Sequence, residues 1–364
     1  MFQCFKIVLG KKRHLFSFVM LLPMIALFLQ CKSLQWLEQP EQQPERTQLG
    51  VSKTIEVNAS LVRLIYFTPK DRPFKERITD QMVTHMHIVQ TFYADQMENH
   101  GYGRKAFAFE TDAKGEMVTH QVKGQFTDTH YLYNTTKKVW TEIQEQFDVS
   151  KNIFVVIVDI SSSSIRGALG HGSSLLGGRS GILWISKSGM QSQVIAHELG
   201  HAFGLQHDFR NNQFLMSYGS YNPSSTQLRR TVLSNESAEF LDVSRFFNSN
   251  RTFSSHGPPQ IKITSSLEYA PGSDKIHVRF ELFDLDGLHQ ARLHTNPNIT
   301  DKDFLAKFSR GSPSFKASKK LNGSNISVEF IYRLSKIDVH QLWLQVIDSQ
   351  GHFNMESFSV SAQD

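Results

Sequence analysis

The sequence predicts an α+β domain, a mixed sheet with long helices, followed by an all-β sandwich. Three observations predict it. Residues 59–250 interleave short apolar runs with longer segments of helical periodicity. Residues 259–364 carry only short alternating runs separated by turn residues. Between the two, residues 251–258 are mostly polar, contain Gly257 and Pro258, and read as a linker.

The chain has 364 residues, enough for two domains and a leader, and its 40% hydrophobic content can build real cores. Residues 1–31 form the leader. Lys6, Lys11, Lys12 and Arg13 make a basic head, and Leu15 to Leu29 is an uncharged apolar run interrupted by Pro23. That run is shorter than the roughly 20 residues of a membrane-spanning helix, so it reads as a signal for export. Three fates stay open: cleavage, lipidation at Cys31, or retention as an anchor. Phe28-Leu29-Gln30 departs from the small residues usual before a lipidated cysteine. Cys4 and Cys31 are the only cysteines, so the exported part must fold on its apolar core without disulfides. The expected location is extracellular, or attached to the cell surface or outer membrane. Residues 32–58 are rich in Pro, Gln and Glu and read as a flexible tether. The net charge of +5 is mild and scattered, which excludes nucleic acid as a partner.

Leu61 to Phe67 reads as a strand. Pro73 to Asn99 is a helix with Ile78, Met82, Met86, Val89, Phe92, Tyr93 and Met97 on one face, closed by Gly101. Ala106–Glu110 and Met117–Val122 read as strands around the Asp112–Gly115 turn. Tyr131–Phe147 reads as a second helix. Ile153–Ile160 is a buried strand and Gly181–Ile185 a shorter one. Ser161–Ser180, between them, is rich in Gly and Ser and reads as a surface loop. It lacks a phosphate-cradle motif and any carboxylate for a cation. Ser188–Gln191 reads as a capping box for a helix from about Gly189 to Phe203. Glu236–Phe247 is a further helix. Beyond the linker, strands are expected at Gln260–Ile263, Lys275–Phe283, Gln290–Leu293, Ser327–Tyr332, Gln341–Ile347 and Ser357–Val360. Asp284–Gly287 and Asp348–Gly351 read as turns, and the spacing of Asp284 and Asp286 does not complete a calcium loop.

The chemistry is concentrated in HELGHAFGLQHD, His197 to Asp208. His197 and His201 are four apart, so on a helix they share one face and can bind one metal together. Glu198 is rotated by about 100° from His197, beside the metal, where it can hold a water. Gly204 lets the chain leave the helix through a left-handed turn. His207 can then fold back as a third ligand. Three imidazoles leave one tetrahedral position open, which is the arrangement of a catalytic zinc site.

This pattern, His-Glu-x-x-His-x-x-Gly-x-x-His, resembles that of the metzincin metalloproteases. Met216, nine residues past His207, matches the Met of the metzincin Met-turn, which underlies the three imidazoles. Tyr218 resembles the tyrosine that astacin-like and serralysin-like members place near the metal. Asp208, directly after the third histidine, is similar to the adamalysin-like (reprolysin) branch. The marks are mixed, so the resemblance reaches the clan and not the branch. It covers about residues 59–250 and implies one catalytic Zn2+ on His197, His201 and His207, with Glu198 as general base. Tyr218 would assist the oxyanion, and Gly204 and Asp208 would support the ligands. The loop around Tyr221–Thr231 would shape specificity, and the 161–180 loop would wall the cleft. Residues 259–364 resemble the immunoglobulin-like modules appended to bacterial secreted enzymes.

The resemblance therefore implies an exported zinc endopeptidase acting on protein or peptide. Two alternatives stand beside it. One is a surface-anchored binding or adhesion lipoprotein with an inactive protease-like domain. The other is zinc hydrolysis of a non-peptide substrate. Residues 259–364 are expected to fold alone and to be dispensable for hydrolysis of small peptides.

Overall fold

An apolar run without alternation, such as Ile153–Val158 (IFVVIV), is satisfied only by layers on both faces of a sheet. The computed structural model supplies both layers. It describes residues 60–163, 165, 169–217, 227–265, 267–269, 272–273, 275–295, 313–333 and 340–362. The leader, the tether with Cys31, and Tyr218 lie outside the described residues. Among the described residues, no helix is long and apolar enough to cross a membrane.

The first half runs β1 (Leu61–Thr68), α1 (Glu76–Asn99), β2 (Ala108–Phe109), β3 (Thr119–Lys123), α2 (Asp128–Tyr131), α3 (Thr135–Gln144), β4 (Ile153–Val158), β5 (Gly170–Leu175), β6 (Ser180–Ser186), α4 (Ser192–Ala202) and α5 (Asn235–Val243). The sheet order is β2-β1-β4-β6-β5, with β3 also on β1. Every pair is parallel except β5 with β6, so the sheet is mixed. Alternation along β4 splits its side chains between two cores. Ile153, Val155 and Ile157 join α1, α4 and α5 on one face. Phe154, Val156 and Val158 join Val139, Trp140 and Ile143 of α3 on the other.

Three local expectations change. The helix expected over Tyr131–Phe147 is broken between α2 and α3, because Asn134 adopts a left-handed conformation (φ 53°). The Ser161–Ser180 loop contains β5, which pairs antiparallel with β6 from Gly170 to Leu175. Ser188 does not cap α4. A short 3₁₀ turn over Lys187–Gly189 comes first, capped by Ser186 Oγ, which accepts from Gly189 N at 3.1 Å.

The second half runs β7 (Gln260–Ile263), β8 (Glu268–Tyr269), β9 (Lys275–Thr295), β10 (Ser314–Arg333), β11 (His340–Asp348) and β12 (Phe353–Ala362). Its sheet order is β10-β9-β11-β12-β8, with β7 on β9. Asp284–Gly287 is not a chain reversal. β9 passes through it as one strand of 21 residues. The ladder with β10 shifts register around Gly323, so this segment is a bulge, with Gly287 at φ 86°. Side chains from both lengths of β9, including Val278, Phe280, Ala291 and Leu293, enter one core with Leu342, Leu344 and Val346 of β11.

The two halves are tightly joined, and the described residues form one compact unit. Ile347 and Phe353 pack into the core of the first half. Phe353 lies 5.6 Å from Phe240 between ring centroids. Arg245 Nη2 donates to His352 Nε2 at 2.8 Å, and Gln290 Nε2 donates to Glu239 Oε2 at 2.7 Å. Gly351 is forced at the seam, since a Cβ there would lie 2.5 Å from the Val243 carbonyl oxygen. These contacts bear on the expectation that residues 259–364 fold alone, because the strands bury side chains against the first half. A short linker describes the connection along the chain but not the surface the strands share with α5.

Candidate metal centre

Helix α4 presents His197, Glu198 and His201, and the turn after it returns His207. One nitrogen from each imidazole lies within 4.8 Å of the other two. The rings sit 4.9, 5.5 and 4.6 Å apart between centroids. His197 Nδ1–H donates to the Leu215 carbonyl at 2.7 Å, and His201 Nδ1–H donates to the Leu205 carbonyl at 2.8 Å. A carbonyl can only accept, so these bonds fix the tautomer and leave Nε2 of both rings as ligand nitrogen. His201 Nε2 then faces His207 Nε2 at 3.2 Å. Two such nitrogens need a proton or a cation between them. Burial, and for His201 and His207 the neighbouring imidazoles, hold all three rings below the usual histidine pKa, so they are neutral and competent as ligands. The donor set, three neutral imidazoles, fits zinc.

The glycines explain how the chain closes around this point. Gly204 takes φ 105°, as the left-handed exit requires, and a Cβ there would also lie 2.5 Å from the Phe353 ring. Gly200 occupies one of the variable positions of the His-Glu-x-x-His pattern, yet a Cβ on it would meet Met216 Sδ at 2.6 Å. Met216 is buried to 1% exposure and lies against Gly200 of α4. Asp208 N donates to the Met216 carbonyl at 2.9 Å, tying the third-ligand loop to that turn. The Asp208 carboxylate is fully buried and grips Arg210 at 2.7 and 2.9 Å, and Arg210 reaches on to Glu236. Asp208 therefore holds the loop, and its carboxylate is not among the atoms that converge with the three imidazoles.

Sequence reasoning missed β5. Its Gly170 and Gly172 lie against α4 at Glu198, and a Cβ on Gly172 would run into the Glu198 carbonyl oxygen. The Gly172 N–H bonds to the Glu198 carboxyl, and burial pushes that carboxyl up to about 8. The available signal was glycine at alternate positions, which in a strand marks close approach by another backbone. His171, between them, stacks on Trp184 on the other face at 6.2 Å.

The raised Glu198 pKa gives a stability test on the metal-free chain. The native carboxyl keeps a proton that the unfolded chain releases from pH 4.5 upward, so stability falls as pH rises towards 8. The three histidines act oppositely, but only below their unfolded value of 6.5. Between pH 6.5 and 8, chelated protein is expected to lose about 2 kcal/mol in chemical denaturation. Glu198→Gln should abolish that loss, and an equal loss in the variant would reassign it to another group.

A family model described as metallo-peptidase family M12 (Reprolysin_5) matches residues 117–246, which include all three histidines and Glu198. No curated protein matches the chain. Among solved structures, the chain is similar to catalytically inactive OgpA from Akkermansia muciniphila in complex with an O-glycopeptide substrate. Identity is 15%, over 86% of this chain and 95% of that one, with a TM-score of 0.56. Wild-type OgpA from the same organism gives 14%, 86%, 96% and 0.54. At this identity the likeness is one of fold, and it extends over both halves of the chain.

Proposed function

We propose that this chain is an exported zinc-dependent endopeptidase, with zinc on His197, His201 and His207 and Glu198 as general base. The observation that carries the reading is the convergence of three imidazole nitrogens, two of them locked by main-chain carbonyls, on the helix that also carries Glu198. The matched metallopeptidase family model supports it. We propose residues 59–250 as the catalytic region, 251–258 as a linker, 259–364 as an immunoglobulin-like sandwich and residues 1–31 as the export leader, with Cys31 or the uncleaved leader as the point of attachment.

Zinc held by His197, His201 and His207 would supply a Lewis acid for the scissile carbonyl and would lower the pKa of a water to about 7. Glu198 takes a proton from the attacking water as its oxygen bonds to the carbonyl carbon. It then hands the proton to the amide nitrogen as the C–N bond breaks, so peptide plus water gives acid plus amine. The Gly172 N–H holds the carboxylate in place during both transfers. Tyr218 is proposed to donate to the developing oxyanion.

The test is zinc content together with cleavage of a peptide library, including O-glycosylated members, since OgpA was captured with an O-glycopeptide. Zinc uptake with no cleavage of any peptide would favour the binding or adhesion reading. Two variants separate the assigned roles. His207→Ala is expected to weaken zinc by more than the roughly 10- to 100-fold typical of a lost outer-sphere partner. Tyr218→Phe is expected to keep its zinc and lower kcat by roughly 100-fold. Equal zinc loss in both would make Tyr218 a ligand and the oxyanion role wrong.

A further inference from the structure

The loop from Gly204 to Asp208 must place an imidazole against two ligands already fixed on α4. Metal–nitrogen distances tolerate about 0.2 Å, yet the loop begins at a glycine and has no regular structure between Gly204 and His207. Part of what holds it comes from the first half: Leu205 N donates to the Gly200 carbonyl at 2.9 Å, and Asp208 N donates to the Met216 carbonyl at 2.9 Å. The carbonyls of Gly204 and His207, at the two ends of the ligand-bearing segment, are held differently. Gln345 Nε2 donates to the Gly204 oxygen at 2.8 Å. Phe315 N donates to the His207 oxygen at 2.8 Å, and Ser314 pairs in parallel with His207 as a β-bridge.

All three of these residues belong to the β-strand half. Alternation along β11 shows why Gln345 points where it does. Leu342, Leu344 and Val346 fill the sandwich core, so Gln345 and Ile347 face the other way, and Ile347 lies in the catalytic core. Gln345 is completely buried. A buried glutamine in place of an aliphatic residue is explained by the carbonyl that it reaches.

We propose that the C-terminal strands are a working part of the metal centre, with Gln345 and the Ser314–Phe315 edge of β10 as positioning elements for His207. This rests on the zinc reading above. The role differs from tethering, which would change only local concentration, and from generic packing, which would change only stability.

Gln345→Met keeps the volume and removes the donor. Gln290→Met is the control, because the Gln290 amide donates to Glu239 and to the Glu236 carbonyl on α5 rather than to a carbonyl of the 204–208 loop. Zinc affinity is measured by competition with a chromophoric chelator, and stability by thermal unfolding of the metal-free full chain. Gln345→Met is expected to weaken zinc about tenfold with metal-free Tm within a few degrees of wild type. Gln290→Met is expected to leave zinc affinity unchanged. Unaltered affinity in Gln345→Met, or equal weakening in both variants, overturns the proposal.

A second measurement needs no substitution. Coupling is reciprocal, so zinc must stabilise what positions it. In wild type, amide exchange at the peptide containing Phe315 is expected to slow several-fold on adding zinc, while residues 275–283 of β9 do not change. No protection at Phe315 also overturns the proposal. A chain that takes up no zinc at all overturns the zinc reading, and this inference with it. Zinc uptake without these effects overturns this inference alone.

Discussion

Glu198→Gln is expected to retain one zinc per chain and to lower kcat on peptide by about 1,000-fold. The substitution is nearly isosteric. The amide oxygen of Gln can still accept the Gly172 N–H that bonds to the carboxyl in the native chain. His197 keeps its bond to the Leu215 carbonyl, and nothing on the far side of α4 is disturbed. On the proposed mechanism, what is lost is the group that takes a proton and gives it back. KM should therefore change little while kcat collapses, and zinc measured by metal analysis should stay stoichiometric. Full activity in this variant would show that another base serves the reaction and would end the assignment of Glu198.

Ending the chain at residue 257 is expected to give insoluble protein, or soluble protein that does not hold zinc. The cut removes Ile347 and Phe353 from the catalytic core. It exposes Phe240, against which Phe353 packs, and it uncovers the Gly204 turn. It also removes Phe315, whose ring covers the Arg210 guanidinium at 4.1 Å. Each large apolar side chain returned to water costs about 1.5–3 kcal/mol, and a domain has about 5–15 kcal/mol in all. Three such losses, about 4.5–9 kcal/mol, are comparable with the whole stability of a domain at the lower end of that range. Soluble, zinc-loaded, active protein from this cut would show that the seam is dispensable and would restore the separable module that the sequence suggests.

The parts legible in the sequence are those set by local rules. The i, i+4 histidines and the glycine exit follow from helix geometry, and α4 and Gly204 adopt it. The Met and aromatic stripe of Ile78 to Met97 is the buried face of α1. What escaped depends on partners distant in sequence. Gly170 and Gly172 look like loop residues until α4 lies on them. Gln290, Arg292, His294 and Gln345 look like the wet side of strands, yet all four are completely buried. Polar residues alternating with apolar ones announce a strand but cannot say whether water or α5 covers the polar face. Asn134 also escaped, because its left-handed conformation interrupts a segment whose periodicity continues past it.

The bridge between His207 and Ser314 has a temporal meaning as well as a geometric one. The chain is made from its N-terminus, so α4 emerges long before β10 and β11. A nascent chain that has completed α4 carries His197, Glu198 and His201. Its third imidazole rides on a loop whose outer supports have not yet been made. Contacts between such distant segments also form late, because a long loop must close first. On the zinc reading, the supports of the third imidazole are complete only when the last strands arrive.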